Sequence, residues 1–257
     1  MQATPVKTAA RELGIATLEP LKIRDAIPAI ANVRAELFAV ASYGKILPQA
    51  LLDLPPLGAL NVHPSLLPLY RGATPLQSQL RDGVVDSGVT IIFMDAGMDT
   101  GDIVLVECSQ IGPEETYGEL HDRFAALGAA LLSRACERVE DGFATRAPQA
   151  GLADAAEIER TVTRPIGKEA LVVDWTWPAR RIVDHVRSLS PAPGARAHLD
   201  GEVEMVKLLK VRVADGHDTG DLVVPCGLGE FVAIERLVPP NRKATTGRAY
   251  RATMVSR

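Results

Sequence analysis

Asn61, His63 and three aspartates, Asp95, Asp99 and Asp102, are the residues whose types and spacing could do chemistry together in this 257-residue chain. Asn61 and His63 stand two apart in the apolar run GALNVH, residues 58–63. If that run is a strand, its alternation puts both side chains on one face, at the carboxyl end. In open α/β sheets ligands sit at that edge. Pro64 follows His63 at once, so the chain leaves the sheet there. An imidazole in such a place can take and give protons, and a carboxylate beside it would fix its orientation and favour its cation. The aspartates come from Asp95-Ala-Gly-Met-Asp99-Thr-Gly-Asp102, whose composition is that of a turn between strands. Spacing alone does not choose among the three. It fits equally a polar strand end next to an Asp/Gly turn. The spacing does not match an EF-hand calcium loop.

The surrounding pattern supplies a frame. Thr4 as cap, Pro5 at the first position and Gly14 at the stop predict a helix. A short strand over 15–18 and a weak helix over 24–31 follow. LFAVAS, residues 37–42, reads as a strand buried on both faces, and 48–54 as a short helix. After the strand at 58–63 come a proline-rich loop (64–75), a helix (75–82) and two strands (88–94 and 103–108). Residues 115–141 predict one amphipathic helix, with Leu120, Phe124, Leu127, Leu131 and Leu132 on its stripe. This alternation predicts an open, largely parallel, Rossmann-like α/β sheet over residues 1–145. A linker follows over 146–174. Residues 175–257 predict a helix at 178–190, then short strands at 195–200, 203–213, 221–225 and 230–237. That is a small β-barrel by length and spacing.

Composition narrows the function classes. Hydrophobic residues are 47% and charged residues 23%, which excludes wholesale disorder, while 4% aromatics leaves the core to aliphatic side chains. A net charge of −4 argues against a nucleic-acid binder that uses its whole surface. The charge is uneven, however: no acid follows Glu235, whereas Arg236, Arg242, Lys243, Arg248, Arg251 and Arg257 do. Such a tail fits a phosphate-facing surface or a solvated, frayed terminus. Cys108, Cys136 and Cys226 are scattered and lack CxxC spacing, so neither a disulfide framework nor a zinc site is expected. No apolar run reaches membrane-spanning length. Trp175 and Trp177 are expected to pack between domains. No G-x-G-x-x-G follows a strand, which argues against a dinucleotide enzyme.

NVHPSLLPLYRGATPLQ followed by MDAGMDTGDIV resembles the folate-dependent formyltransferase family. AVASYGKILPQALLDLPPLGALNVH upstream and Asp174-Trp175 extend the resemblance over nearly the whole chain. The resemblance implies a formyltransferase sheet with an OB-like C-terminal domain. It implies that Asn61, His63 and Asp99 are the catalytic trio and that Ser65, Leu66, Leu67 and Pro68 contact the donor, 10-formyltetrahydrofolate. An acceptor amine would attack the formyl carbon, protonated His63 and the Asn61 amide would donate to the resulting oxyanion, and Asp99 would favour the imidazolium and help take the amine proton. No metal is needed.

Tyr70-Arg-Gly-Ala73, the Asp-Thr-Gly-Asp turn and the β-rich C-terminal domain resemble the tRNA-acting branch. For that branch the acceptor is the amino group of methionyl-tRNA (initiator), in a cytoplasmic enzyme of translation initiation, monomeric when full length. Sister branches act on an amino-sugar nucleotide, and a non-catalytic remnant binding folate or tRNA is a third alternative. Against the family pattern, roughly 40 residues, the size of one strand–helix–strand unit, are expected to precede Met1. The 257-residue chain alone is therefore expected to be poorly soluble or weakly active.

Overall fold

The protein is described by a computed structural model that covers residues 3–199, 204–216 and 222–255. Two apolar cores organise it. The first belongs to a four-stranded sheet made of β1 (Phe38–Val40), β2 (Ala59–His63), β3 (Asp86–Phe93) and β4 (Ile103–Gln110), in that order. β1 and β2 are parallel, and β3 is antiparallel to both β2 and β4. Three strands therefore run one way, with β3 reversed because the short 94–102 turn joins it to β4 as a hairpin, which forces antiparallel pairing.

Helix α5 (Tyr117–Glu140) covers one face of this sheet. Its start is set by a capping box: Thr116 Oγ1 accepts from the Glu119 amide, and Glu119 reaches back to the Thr116 amide at 2.9 Å. Leu120, Phe124, Gly128, Leu131, Ala135 and Val139 recur at helical spacing and are buried, while Leu127 and Leu132 pack at the margin. At Gly128 a Cβ would lie 2.7 Å from Val62 Cγ1, so the missing side chain lets α5 approach β2 closely. With Leu60 and Val62 turned into this core, strand alternation turns Asn61 and His63 to the opposite face.

The first part of the chain departs from expectation. Helices α1 (Pro5–Glu12) and α2 (Ile23–Val33) form, and Thr4 caps α1 as its sequence requires. Residues 15–18 form no strand, and Ile15 and Leu18 are both more than half exposed. A strand needs a partner, and these residues have none among the described ones. For the same reason β1 is only three residues long and half-buried rather than covered on both faces. Beside it runs an apolar groove of about 330 Å³, lined by Ile23, Ile30, Phe38, Val40, Tyr43 and Leu51.

The stretch expected to be a plain linker is stitched to the first sheet. It contains α6 (Ala155–Thr161) after the short helices α3 (Gln49–Leu52) and α4 (Pro75–Arg81) of the first part. Ala147 bridges to Ile103, and Thr163 bridges to Gly72.

The second core packs α7 (Ala179–Leu189) on an antiparallel sheet. Its strands are β5 (Ala195–Ala197), β6 (Val206–Ala214), β7 (Leu222–Pro225), β8 (Phe231–Val238) and β9 (Thr245–Thr246), ordered β5-β6-β8-β7 with β9 also on β8. Parts of the expected strands at 195–200, 203–213 and 221–225 fall on residues 200–203 and 221, and Arg257 of the basic tail is similarly placed; these lie outside the described residues. The tail does not fray where it is described: Gly247–Val255 forms helix α8, held by the buried Tyr250. Trp175 and Trp177 pack on this second core rather than between the two. Trp175 Nε1 donates to His198 O at 2.9 Å, and Trp177 meets His185 edge-on.

Past the exposed Arg180 and Arg181 of its first turn, α7 is buried from Ile182 to Leu189, because it also joins the halves. Arg187 and Asp184, each 5% exposed, pair at 2.6 Å. Arg187 also donates to the carbonyls of Gly112, Glu115 and Leu80 in the first half.

Candidate functional site

The two stretches singled out by sequence meet on the face of β2 turned away from α5. Three aspartates were open there, and geometry separates them. Asp95 is spent on its own turn, accepting from the Gly97 amide and Thr100 Oγ1. The Asp102 carbonyl takes the Phe93 amide and closes the hairpin, and among the described residues its carboxylate makes no hydrogen bond or ion pair with His63 or Asn61. Asp99 folds back over the strand. Its Oδ2 lies 3.6 Å from His63 Nδ1 and accepts the Gly72 amide at 2.8 Å, while its Oδ1 lies 3.5 Å from Asn61 Nδ2. Asn61, His63 and Asp99 thus form one cluster.

The backbone is unusual where it makes this fold-back. Asp99 has φ +56°, a left-handed conformation that aspartate tolerates better than most residues. Gly72 has φ +111°, and a Cβ there would strike the Thr163 carbonyl oxygen. Only glycine fits that crossing.

His63 is 3% exposed. Its Nε2 lies 2.9 Å from the Tyr70 carbonyl oxygen, which can only accept, so Nε2 carries a hydrogen and Nδ1 faces Asp99. Burial pushes the imidazole below its ordinary value of 6.5; Asp99 and the Tyr70 carbonyl oppose that shift, and the Arg71 cation adds to it. Burial thus favours the neutral ring, with Nδ1 facing a carboxylate. A proton arriving at Nδ1 would turn the 3.6 Å approach into an attractive N–H to carboxylate contact.

The loop after His63 is built as a rigid wall. Ser65 is fully buried; its Oγ donates to Leu69 O, and its carbonyl accepts from Thr90 Oγ1 at 2.6 Å. Leu67 donates its amide to the same Thr90 oxygen at 3.3 Å and is buried, as is Pro68, whereas Leu66 is half-buried against Gly88. Thr90 is a functional support that sequence reading passed over, although a signal existed: it is a polar side chain inside the apolar run GVTIIFM. Gln149, Thr161 and Thr163 carry no such signal in the sequence, since nothing in the mixed stretch 142–174 marks them. Thr161 Oγ1 accepts the Tyr70 amide, and Thr163 Oγ1 accepts the Thr74 amide at 3.0 Å.

A carboxylate, a neutral imidazole and a carboxamide within reach of one another can accept a proton and donate to a developing oxyanion. Among the described residues no group of three or more His, Cys, Asp or Glu stands ready to hold a metal ion, and no helix is long and apolar enough to cross a membrane.

Comparison with known proteins agrees with this architecture. Residues 2–136 match the family described as "Formyl transferase", and residues 165–253 match "Formyl transferase, C-terminal domain". The chain is 41% identical over 233 residues to a methionyl-tRNA formyltransferase of Cereibacter sphaeroides, covering 88% of this chain and 74% of that one. It is 41% identical over 250 residues to a methionyl-tRNA formyltransferase of Syntrophus aciditrophicus, covering 96% and 75%. Among solved structures, HypX from Aquifex aeolicus in complex with tetrahydrofolic acid has a similar fold, with TM-score 0.65 at 17% identity, over 90% of this chain and 41% of that one. The chain belongs to the formyltransferase family.

Proposed function

We propose that this formyltransferase moves the formyl group of 10-formyltetrahydrofolate to the amino group of methionyl-tRNA, on a site made of Asn61, His63 and Asp99. Relatives named methionyl-tRNA formyltransferase at 41% identity support the reaction, and the observation that carries the site is the approach of Asp99 to both His63 and Asn61.

The acceptor amine forms a bond to the formyl carbon, and the carbonyl electrons move to oxygen. The Asn61 amide donates to that oxyanion. The amine proton passes to His63 Nδ1, with Asp99 opposite, and the imidazolium so formed adds positive charge near the oxyanion. Collapse breaks the bond between the formyl carbon and the donor nitrogen, which leaves with the proton that His63 had taken from the amine, so the neutral imidazole is restored. Ser65, Leu66, Leu67 and Pro68 form the wall against which the donor is held, with the half-buried Leu66 as its apolar contact. Residues 1–145 act as the catalytic domain and 175–257 as the tRNA-holding domain. The reading extends to the initiator tRNA as partner and to the cytoplasm as location.

The test is formyl transfer from 10-formyltetrahydrofolate to methionyl-tRNA, with a His63→Ala variant, uncharged tRNA and an amino-sugar nucleotide run beside it. Turnover on methionyl-tRNA, lost in the variant and absent with the other two, is expected. Turnover on the sugar amine without tRNA would move the chain to a sister activity. Donor or tRNA binding by folded protein without turnover would make it a non-catalytic binder.

A further inference from the structure

Gln149 lies in a loop 50 residues beyond Asp99, yet it joins the two segments that carry the site. It is 4% exposed. Its Oε1 accepts Arg71 Nε at 3.1 Å and Arg71 Nη2 at 2.6 Å. Its Nε2 donates to Asp99 O at 2.9 Å and to Gly101 O at 2.8 Å. All four hydrogen-bonding positions of the amide are used. The orientation is forced: a flipped amide would set NH₂ against a guanidinium and oxygen against two carbonyls.

From this geometry we infer that Gln149 is a positioning residue, which sets the Asp99 carboxylate against His63 and fixes Arg71 beside the same ring. The inference rests on the reading of Asn61, His63 and Asp99 as the reacting cluster. Asp99 is in a left-handed conformation, and its neighbour Gly101 has no room for a side chain, because a Cβ would strike the Phe93 carbonyl. A turn of that kind needs its carbonyls held from outside, and both donors come from one amide. A carboxylate at 149 could keep Arg71 but could not donate. An apolar side chain would leave two carbonyls and a guanidinium unsatisfied. No other residue type of this length both accepts from the arginine and donates twice.

The other strap residues act on the same loop from a different side. Thr163 donates its amide to Arg71 O at 2.7 Å, and Thr161 and Thr163 take the Tyr70 and Thr74 amides. They hold the loop's main chain, whereas Gln149 alone reaches the Asp99 turn. Its substitution should therefore act on the Asp99 turn and on the Arg71 side chain, and not on the main chain of the loop.

The experiment compares wild type with Gln149→Glu and Gln149→Leu. Glu keeps the size and an ion pair with Arg71, so it is the variant expected to fold even if Leu does not. Two readouts are used. In single-turnover and steady-state formyl transfer to methionyl-tRNA, kcat is expected to fall about 10- to 100-fold in both variants, with KM for either substrate changed less than threefold, as a misplacement near 1 Å would do. In amide NMR, the Gly72 N–H is the reporter, because it donates to Asp99 Oδ2 at 2.8 Å. Its resonance is expected to move upfield and its hydrogen exchange to quicken in both variants, while amides of β3 and α5 stay put. An unmoved Gly72 amide in folded Gln149→Glu, with kcat unchanged, overturns the inference. If wild type itself fails to formylate methionyl-tRNA, the proposed function falls while the Gly72 signal still decides whether Gln149 positions Asp99. General unfolding in both variants, with Gly72 and β3 lost together, would make Gln149 a mere stability residue and also overturn it.

Discussion

Two arginines in this molecule are held in opposite ways. Arg187, at the seam between the halves, meets the Asp184 carboxylate and three backbone carbonyls, so its charge is neutralised where it is buried. Arg71, at the site, docks on the neutral amide of Gln149. Its cation is positioned but not cancelled, and it contributes to keeping His63 unprotonated. The first arrangement fastens two cores together. The second keeps a field where a proton is to move. The lesson is that the polarity of the partner, more than burial itself, separates a structural arginine from one that tunes a site.

Substitutions at the two arginines and around them separate the two roles. The largest effect is expected at the site itself. His63→Ala should lower kcat for formyl transfer by about 10²- to 10⁴-fold with little change in Tm, since it removes the proton acceptor; a loss under fivefold would remove His63 from the chemistry. At the seam, Arg187→Ala should leave activity per folded molecule near normal while costing about 3–5 kcal/mol of stability in urea unfolding. Asp184→Leu/Arg187→Met should recover little of that loss, because Met cannot donate to the Gly112, Glu115 and Leu80 carbonyls and Leu takes the carboxylate away from Arg180. Full recovery would mean that the seam needs only volume there.

A smaller stability cost, about 1–3 kcal/mol, is expected for Gly72→Ala, whose added carbon meets the Thr163 carbonyl at a left-handed backbone position. Unlike the seam variants, it should lower kcat as well. Arg71→Gln should let the His63 value rise, so the acid limb of kcat/KM moves to higher pH; a limb that stays in place would show that the cation does not reach the ring. The slightest effect is on stability against pH. His63 and His185 are both lowered from 6.5, chiefly by burial. The unfolded chain therefore binds their protons first as pH falls below about 6.5, and stability should decline from there toward the lowered native values. His185→Leu should flatten that decline.

Much of this was legible from residue types. The frame was visible wherever a pattern was long: the α5 stripe, the buried β2 and β3 runs, and α7 all stand where periodicity put them. It failed at residues 15–18, because whether an apolar tetrad becomes a strand depends on a neighbour and not on its own composition. At the site, Asn61 and His63 follow from strand alternation, and the proline-rich loop is where the chain was expected to leave the sheet. Spacing left Asp95, Asp99 and Asp102 open, and only the family resemblance pointed to Asp99; what brings it to His63 is the turn's conformation, which no spacing records. The protonation of His63 depends on burial and on the Tyr70 carbonyl, and Gln149 acts across 78 residues on Arg71. Such contacts are made by the fold, so they leave no local trace.

The bridging of residues 149–164 onto the loop at 70–74 bears on where this chain could be cut and rejoined. The two family matches leave 137–164 to neither part, and a chimaera designed from them would treat that interval as free cable. Grafting a foreign C-terminal domain at residue 142 would strip four hydrogen bonds from the Tyr70–Thr74 loop and, with them, the side-chain amide of Gln149 that spans Arg71 and Asp99. A junction placed after Arg164 would carry the whole harness with the part that it serves.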